Sequence, residues 1–126
     1  MAVVTDFKFS LIYAEDFEET KAFYEKYFGF KQEFEMPDTE LGPQTWGKTG
    51  EVGMWIGGGY ERVEVTERSC RSGVMFGVES AVELFKQLQT DSIKVLHEAP
   101  VPMQDGVFFF QFEDPSGNLI DILGRE

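Results

Sequence analysis

The sequence is poor in the side chains that most often bind metals or form disulfides. It holds one histidine, His97, and one cysteine, Cys70, among 126 residues. A single cysteine cannot form a disulfide within the chain, as is typical of proteins in reducing compartments. The first ten residues, MAVVTDFKFS, have neither the basic head nor the cleavage site of a signal peptide. We therefore expect a cytoplasmic protein.

Long apolar runs and positive charge are also scarce. No apolar run approaches the roughly 18 residues that a membrane-spanning helix needs, so we expect no membrane insertion. Lys and Arg number 11 against 23 Asp and Glu, which gives a net charge of −12. This field repels phosphate backbones and argues against nucleic-acid binding. It would attract a cationic ligand, although an acidic surface also serves solubility alone.

Aromatic residues, by contrast, are plentiful. The chain contains 13 Phe, 4 Tyr and 2 Trp. Hydrophobic residues make up 42% of the sequence, which predicts a globular domain rather than a disordered chain. This is more phenylalanine than a small core usually needs, and the excess indicates an aromatic-lined cavity. Ordinary core packing is the simpler explanation for most of the phenylalanines.

The first half of the chain predicts one helix among several strands. Asp16 precedes an aromatic-rich helical pattern and is followed three residues later by Glu19, the spacing of a capping box. Gly29 is typical of a helix C-terminus. The other predicted elements are a strand at 7–14, a strand at 30–36, a loop at 37–43, and two strands around a turn at 49–50.

The second half repeats this plan. A strand at 73–79 leads to Ser80, which has Glu83 three residues later and lies 64 positions after Asp16. A helical pattern follows, then a strand and Pro-rich loop at 93–103, which places His97 in the sixth strand or at its end. A hairpin at 106–124, around the turn DPSGN, completes the set. Both halves therefore predict a β-α-β-β-β order, and the repeat indicates paired modules.

The predicted fold is α+β, with two paired β-α-β-β-β modules forming curved sheets around a cleft. We expect a single domain over 1–126: module one at about 5–60, a charged connector at about 60–72, and module two at about 73–126. In such an arrangement the cleft is lined by the sheet faces that the helices leave uncovered, and function is expected there.

Three segments resemble a known family. AEDFEETKAFYEKYFGF resembles the first-helix signature of the vicinal oxygen chelate superfamily, the glyoxalase and bleomycin-resistance fold. MFGVESAVELFKQL resembles the start of its second module, and EDPSGNLIDIL resembles its last hairpin. Together they cover nearly the whole chain in the right order. The resemblance implies paired modules, and a homodimer, because most members of this superfamily are dimeric.

The resemblance also implies where a metal would be bound. Enzymes of the superfamily hold a divalent ion with His or Glu on the first strand of each module and Glu on the last strand. The matching positions here are Phe9, Gly73 and Asp121. Phenylalanine and glycine offer no side-chain ligand, and three protein ligands are the usual minimum for catalytic zinc. We therefore expect no metal, no cofactor and no catalytic residue, which weighs against an enzyme.

The remaining candidates form an acidic, aromatic ligand site. The resemblance extends to antibiotic-sequestering, bleomycin-resistance-like members, which lack the metal and bind by shape, stacking and negative charge. The proposed ligand-binding residues are Phe9, Trp46, Trp55, Phe110, Phe112 and Asp121. Stacking together with negative charge suits a flat cationic molecule. An alternative role for the two tryptophans is core packing or contact within a dimer. An alternative role for Asp121 is a structural hydrogen bond to a neighbouring strand or to the partner subunit.

The leading hypothesis is a metal-free small-molecule-binding protein of the glyoxalase/bleomycin-resistance type that sequesters a cationic or aromatic antibiotic or toxin. The alternative is a glyoxalase- or dioxygenase-like lyase or isomerase with an atypical metal site or metal-free acid–base chemistry. A third hypothesis is an interaction scaffold. The sequence assigns no ligand-binding role to Cys70, which reads as a spectator thiol, or to His97, which reads as a surface or strand-edge residue.

Overall fold

The computed structural model of the protein describes residues 10–58 and 74–126. The chain divides into two compact units, residues 1–61 and 62–126, and each contains one helix and one four-stranded sheet. The predicted α+β class and the two β-α-β-β-β modules are confirmed. The connector predicted at about 60–72 lies outside the described residues, as do Phe9 and Gly73.

The first unit contains a mixed sheet. Its elements are β1 (Ser10–Tyr13), α1 (Phe17–Phe28), β2 (Lys31–Thr39), β3 (Gly42–Thr49) and β4 (Val52–Gly57). The strand order is β1-β4-β3-β2, with β1 parallel to β4 and the other neighbours antiparallel. The strand predicted at 7–14 is therefore confirmed over its described part.

The second unit repeats the same topology. Its elements are β5 (Val74–Ser80), α2 (Ala81–Thr90), β6 (Val101–Pro102), β7 (Phe108–Glu113) and β8 (Leu119–Arg125). The order β5-β8-β7-β6, again with one parallel pair at β5–β8, matches the first sheet strand for strand. The internal repeat in the sequence therefore corresponds to a repeat of topology.

Both helices begin at the predicted caps. The Asp16 carboxylate accepts a hydrogen bond from the Glu19 amide at 3.0 Å, and the Ser80 hydroxyl accepts one from the Glu83 amide at 3.1 Å. Each bond satisfies an amide that the first helical turn leaves without a partner. Gly29 ends α1 with φ of 64°, a left-handed conformation that glycine adopts without steric cost. No helix in the described ranges is long and apolar enough to cross a membrane.

Each sheet has one face covered by its helix and one face that the helix leaves open. In the first unit α1 packs against β3 and β4, and fully buried Ile12, Met54 and Ile56 lie on the covered side. In the second unit α2 packs against β5, β7 and β8, over buried Ile120 and Ile122. Because successive side chains of a strand alternate between faces, their neighbours in sequence lie on the opposite side, which we call the helix-free face.

The turn before β8 is built around one buried carboxylate. Oδ1 of Asp114 accepts the Ser116 and Asn118 amides at 2.9 and 2.8 Å, and Oδ2 accepts the Asn118 side-chain amide at 2.8 Å. Asp114 is 5% exposed, and three hydrogen bonds offset the cost of burying its carboxylate. The predicted DPSGN turn is confirmed, and it fixes the register of the β7–β8 hairpin.

Two sequence predictions need correction. The loop predicted at 37–43 is a tight turn, because β2 continues to Thr39 and β3 already begins at Gly42; the Thr39 hydroxyl donates to the Gly42 carbonyl at 2.6 Å and closes it. The sixth strand is only Val101–Pro102, and His97 lies outside it. The reason is proline, which lacks the amide hydrogen that a longer ladder would need.

Candidate functional site

Four apolar side chains form a row across the helix-free face of the first sheet. The strand register pairs Leu11 with Trp55, Trp55 with Trp46, and Trp46 with Phe34. Leu11 is 47% and Phe34 56% exposed, and both tryptophans are half-buried. We call these four residues the aromatic row. An apolar stripe of this kind, left open by the unit's own helix, is typical of a surface that binds something.

One member of the row, Trp55, is held by a buried polar side chain. Its indole N–H donates to Oε1 of Gln44 at 2.7 Å. Gln44 is 3% exposed, and its Nε2 donates to the carbonyl oxygens of Gly58 at 3.2 Å and Leu41 at 3.4 Å. The polar edge of Trp55 is therefore satisfied within the first unit.

One end of the same face carries positive charge. Lys48 follows Trp46 by two positions on β3, so strand alternation puts it on the helix-free face, and its register partner on β2 is Lys31. Two lysines beside an aromatic stripe disfavour a cationic group at that end. A ligand on the aromatic row would therefore be held by stacking, and a positive group on it would lie away from the lysine end.

On the second sheet, Asp121 lies on the helix-free face, between Met75 of β5 and Gln111 of β7 in the strand register. Its sequence neighbours, Ile120 and Ile122, are fully buried on the opposite face. Oδ1 of Asp121 accepts a hydrogen bond from Nε2 of Gln111 at 2.8 Å. The cross-strand hydrogen bond considered as an alternative role for Asp121 is therefore present, and it engages one of the two carboxylate oxygens.

Phe110 and Phe112 do not lie on the helix-free face, which corrects their expected placement. Both are fully buried, and their register partners are Ile122 and Ile120. The Phe110 ring meets Phe85 of α2 edge-on, with ring centroids 5.2 Å apart. The expectation failed because β7 reads FFFQF, and a run of phenylalanines does not reveal which ones face the helix.

His97 packs against Phe109, with ring centroids 5.9 Å apart in an edge-on arrangement. Its Nε2 is buried and has no hydrogen-bond partner. No carboxylate or thiol in the described ranges joins it in a cluster that could bind a metal. His97 therefore stays outside the candidate site, and the sequence analysis had assigned it no ligand-binding role.

Sequence reasoning missed three contributors to the site on the first sheet. Leu11 and Phe34 become visible only when strand pairing aligns them with the tryptophans. Gln44 carries no sequence signal, since a lone glutamine in a strand belongs to no motif. Phe9, the other predicted aromatic residue of this unit, lies outside the described residues.

The chain belongs to the glyoxalase/bleomycin resistance protein/dioxygenase superfamily, whose family model matches residues 6–122. This confirms the family that the helix and hairpin segments indicated. No curated protein sequence matches the chain.

Several solved structures share the fold. The fosfomycin resistance protein FosX from Listeria monocytogenes, complexed with Mn(II) and sulfate, aligns with a TM-score of 0.73 at 14% identity, covering 98% of this chain and 95% of that one. Lactoylglutathione lyase from Agrobacterium tumefaciens aligns with a TM-score of 0.66 at 19% identity, covering 96% and 94%. TioX from Micromonospora sp. ML1 aligns with a TM-score of 0.70 at 14% identity, covering 96% and 99%. At these identities the likeness establishes the fold alone.

The described residues around Asp121 do not fit the divalent metal of the superfamily's enzymes. The register neighbours of Asp121 are a thioether and an amide whose nitrogen points at the carboxylate. Within 10–58 and 74–126, no three His, Cys, Asp or Glu side chains converge on one point. The two other matched positions, outside those ranges, are Phe9 and Gly73, which have no donor atoms. A lyase or isomerase with a displaced metal would need ligands that the surroundings of Asp121 do not supply.

We accordingly expect the purified protein to contain well under one equivalent of divalent metal per chain. The physical reason is that a single carboxylate cannot compete with water for a divalent ion. Elemental analysis after extensive dialysis checks this, with zinc, iron, manganese and nickel measured together. About one equivalent of any of them per chain would contradict the expectation.

Proposed function

We propose that the protein is a metal-free small-molecule-binding member of its superfamily that sequesters a flat, cationic or aromatic antibiotic or toxin. The observation that carries this proposal is the aromatic row, which leaves Leu11, Trp46, Trp55 and Phe34 partly exposed along one line of a rigid sheet. Aromatic side chains on strands provide a stacking surface whose geometry is set before the ligand arrives.

Charge supports the cationic part of the proposal at long range. The net charge of −12 attracts cations toward the molecule as a whole. Lys31 and Lys48 act locally in the opposite sense, so a ligand with its charge at one end would bind with that end away from them. On the second sheet, Asp121 keeps an oxygen beyond its bond to Gln111 that could accept from a ligand's N–H group.

A resistance role gains support from the fold neighbours. One of them is named a fosfomycin resistance protein, so a member of this superfamily with the same architecture acts against an antibiotic. The proposal does not extend to fosfomycin-type chemistry, because FosX is described with Mn(II) and residues 10–58 and 74–126 contain no cluster of side chains that could hold a metal. Sequestration requires only a surface that binds, and the proposal assigns this role to the aromatic row.

The proposal is tested by titrating the protein with three probes while following tryptophan fluorescence. Both tryptophans of the chain belong to the aromatic row, so the signal reports on that surface. Acridine orange, a planar cation, should bind with a Kd well below about 1 mM. Acridone, planar but neutral, should bind more weakly, and fosfomycin should not bind. Absence of binding by both planar probes up to about 1 mM would refute the proposal.

The role of Asp121 is tested by an Asp121→Asn variant in the same titration. Asparagine retains an oxygen that accepts from Gln111 and removes one negative charge. If Asp121 contacts the cation, affinity for acridine orange should fall by about 1–3 kcal/mol, roughly 5- to 150-fold. Glu98→Gln is the matched control, because it removes the same charge from an exposed position. Equal affinities for Asp121→Asn and Glu98→Gln would leave Asp121 with its structural hydrogen bond alone.

We also propose that the protein is a homodimer. The described parts of both units expose large apolar side chains, such as Leu41 (44%), Met75 (52%) and Met103 (56%), which a second copy would cover. A chain of 126 residues has little core to spare, so association adds stability that the monomer cannot reach alone. Sedimentation at micromolar concentration should give about twice the chain mass of 14.4 kDa. A single species of 14.4 kDa would contradict the dimer.

A further inference from the structure

The hydrogen bonds of Gln44 fix which way its amide points. Nε2 lies within hydrogen-bond distance of two backbone carbonyls, those of Gly58 and Leu41, which only accept. Oε1 faces the indole N–H of Trp55, which only donates. Both halves of the amide are thus matched, and reversing it would break all three bonds. Because Gln44 is 3% exposed, water could not replace them.

A glycine makes room for this side chain. Gly57 is the register partner of Gln44, and a Cβ atom at position 57 would collide with the Gln44 side-chain amide. Trp55 precedes Gly57 by two positions on β4, so both lie on the helix-free face. The Gln44 side chain therefore crosses from β3 to β4 over Gly57 and meets the indole of Trp55 there. We call Gln44, Trp55 and Gly57 the indole clamp.

The clamp changes what Trp55 can offer a ligand. An indole has one hydrogen-bond donor, and Gln44 occupies it at 2.7 Å. Trp55 otherwise presents its half-buried ring on the helix-free face, and aromatic rings attract cations and stack on other rings. A ligand that depends on donors, such as a phosphonate or carboxylate, finds none on Trp55.

We infer that Gln44 is a positioning residue that determines specificity at the aromatic row: it holds Trp55 in one orientation and limits Trp55 to stacking, which favours planar aromatic ligands, cationic ones in particular. This inference rests on the proposed function for its ligand class. The positioning of Trp55 by Gln44 is a separate physical claim that is measured without any ligand.

The first measurement uses the protein alone. In a ¹H–¹⁵N spectrum the chain gives two indole N–H signals, and Trp46→Phe assigns them. The Trp55 signal should exchange with solvent at least tenfold more slowly than an exposed indole, because its N–H is bonded to a buried acceptor. Gln44→Leu and Gly57→Ala, the second of which displaces the glutamine, should each accelerate this exchange about tenfold. A Trp55 indole that exchanges freely in the unmodified protein, or unchanged exchange in both folded variants, would overturn the inference.

The second measurement asks whether positioning affects binding. Gln44→Leu should raise the Kd for acridine orange about tenfold, whereas in a Trp55→Phe background, which has no indole N–H to hold, the same change should raise it no more than about twofold. Equal losses in the two backgrounds would show that Gln44 acts other than through the Trp55 N–H and would overturn the inference.

The two proposals fail in different ways. If acridine orange and acridone do not bind the unmodified protein while Trp55 exchange responds to Gln44→Leu, the proposed function fails and the positioning claim stands. If the probes bind but the exchange rate of the Trp55 indole N–H does not change in Gln44→Leu, the positioning claim fails and the proposed function stands. Tight binding of fosfomycin to the unmodified protein would contradict the specificity that the clamp is inferred to confer.

Discussion

Replacing Phe110 with alanine is expected to lower the free energy of unfolding by about 3–5 kcal/mol, the range for truncating a buried phenylalanine in a packed core. Phe110 is fully buried, lies edge-on to Phe85 at 5.2 Å between ring centroids, and is paired in the sheet with Ile122. Truncation would leave a cavity between β7 and α2. Urea unfolding followed by far-UV circular dichroism measures the change, since the second unit contains no tryptophan.

Phe109→Ala is the matched control for this prediction. The two residues are adjacent on β7 and point to opposite faces, and Phe109 is half-buried beside His97. Its truncation should cost about 1 kcal/mol. Similar losses for the two variants, or a larger loss for Phe109→Ala, would mean that Phe110 does not occupy the core beneath α2.

Replacing Trp55 with alanine is expected to weaken binding of acridine orange by about 2–3 kcal/mol, roughly 30- to 150-fold, as for an aromatic residue at the centre of an interface. Trp55 has Leu11 on one side of the row and Trp46 on the other, so it is a central member of the stripe. Titration followed by the dye's own fluorescence checks this, because the alanine variant loses one tryptophan signal.

Trp55→Phe provides the control for ring loss. It keeps an aromatic face but loses the indole N–H and replaces the two-ring indole with one smaller ring, so it should lose no more than about tenfold in affinity. Unchanged affinity in Trp55→Ala would remove Trp55 from the binding surface. A loss in Trp55→Phe as large as that in Trp55→Ala would indicate that a generic aromatic ring at this position does not suffice and that affinity requires the indole itself.

The parts of the fold that depend on neighbours in sequence could be predicted. Asp16 and Ser80 cap their helices because each short polar side chain accepts a hydrogen bond from the backbone amide three residues later. That amide has no acceptor within the first helical turn. The DPSGN turn likewise contains all partners of its buried carboxylate within five residues. Since both modules use such local signals, the repeat and the fold class followed from the sequence.

The faces of the strands were predictable only where polar and apolar residues alternate. Ile120-Asp121-Ile122 alternates, and Asp121 indeed lies opposite the two isoleucines. The aromatic run of β7 has no such alternation of polar and apolar residues, and the predicted placement of Phe110 and Phe112 on the ligand-binding face was wrong. A strand's face is decided by what packs against it, and here the choice depends on Phe85 of α2, 25 residues before Phe110 in sequence.

The candidate site required the strand register. Leu11, Trp55, Trp46 and Phe34 are spread over four strands, and their alignment follows from pairing rather than from any motif. Gln44 and Gly57 likewise acquire their roles only as partners across β3 and β4. The two tryptophans could be identified as candidates from the sequence, but the hydrogen bond from Trp55 to Gln44 could not.

The most direct test of a planar cation binding at the aromatic row is an acridine orange titration followed through the two indole N–H signals in ¹H–¹⁵N spectra. Both indoles belong to the row, so each should shift along a single saturating curve, with one shared Kd well below about 1 mM. Acridine orange that leaves both indole signals unmoved up to about 1 mM, while the protein remains folded, would contradict the account.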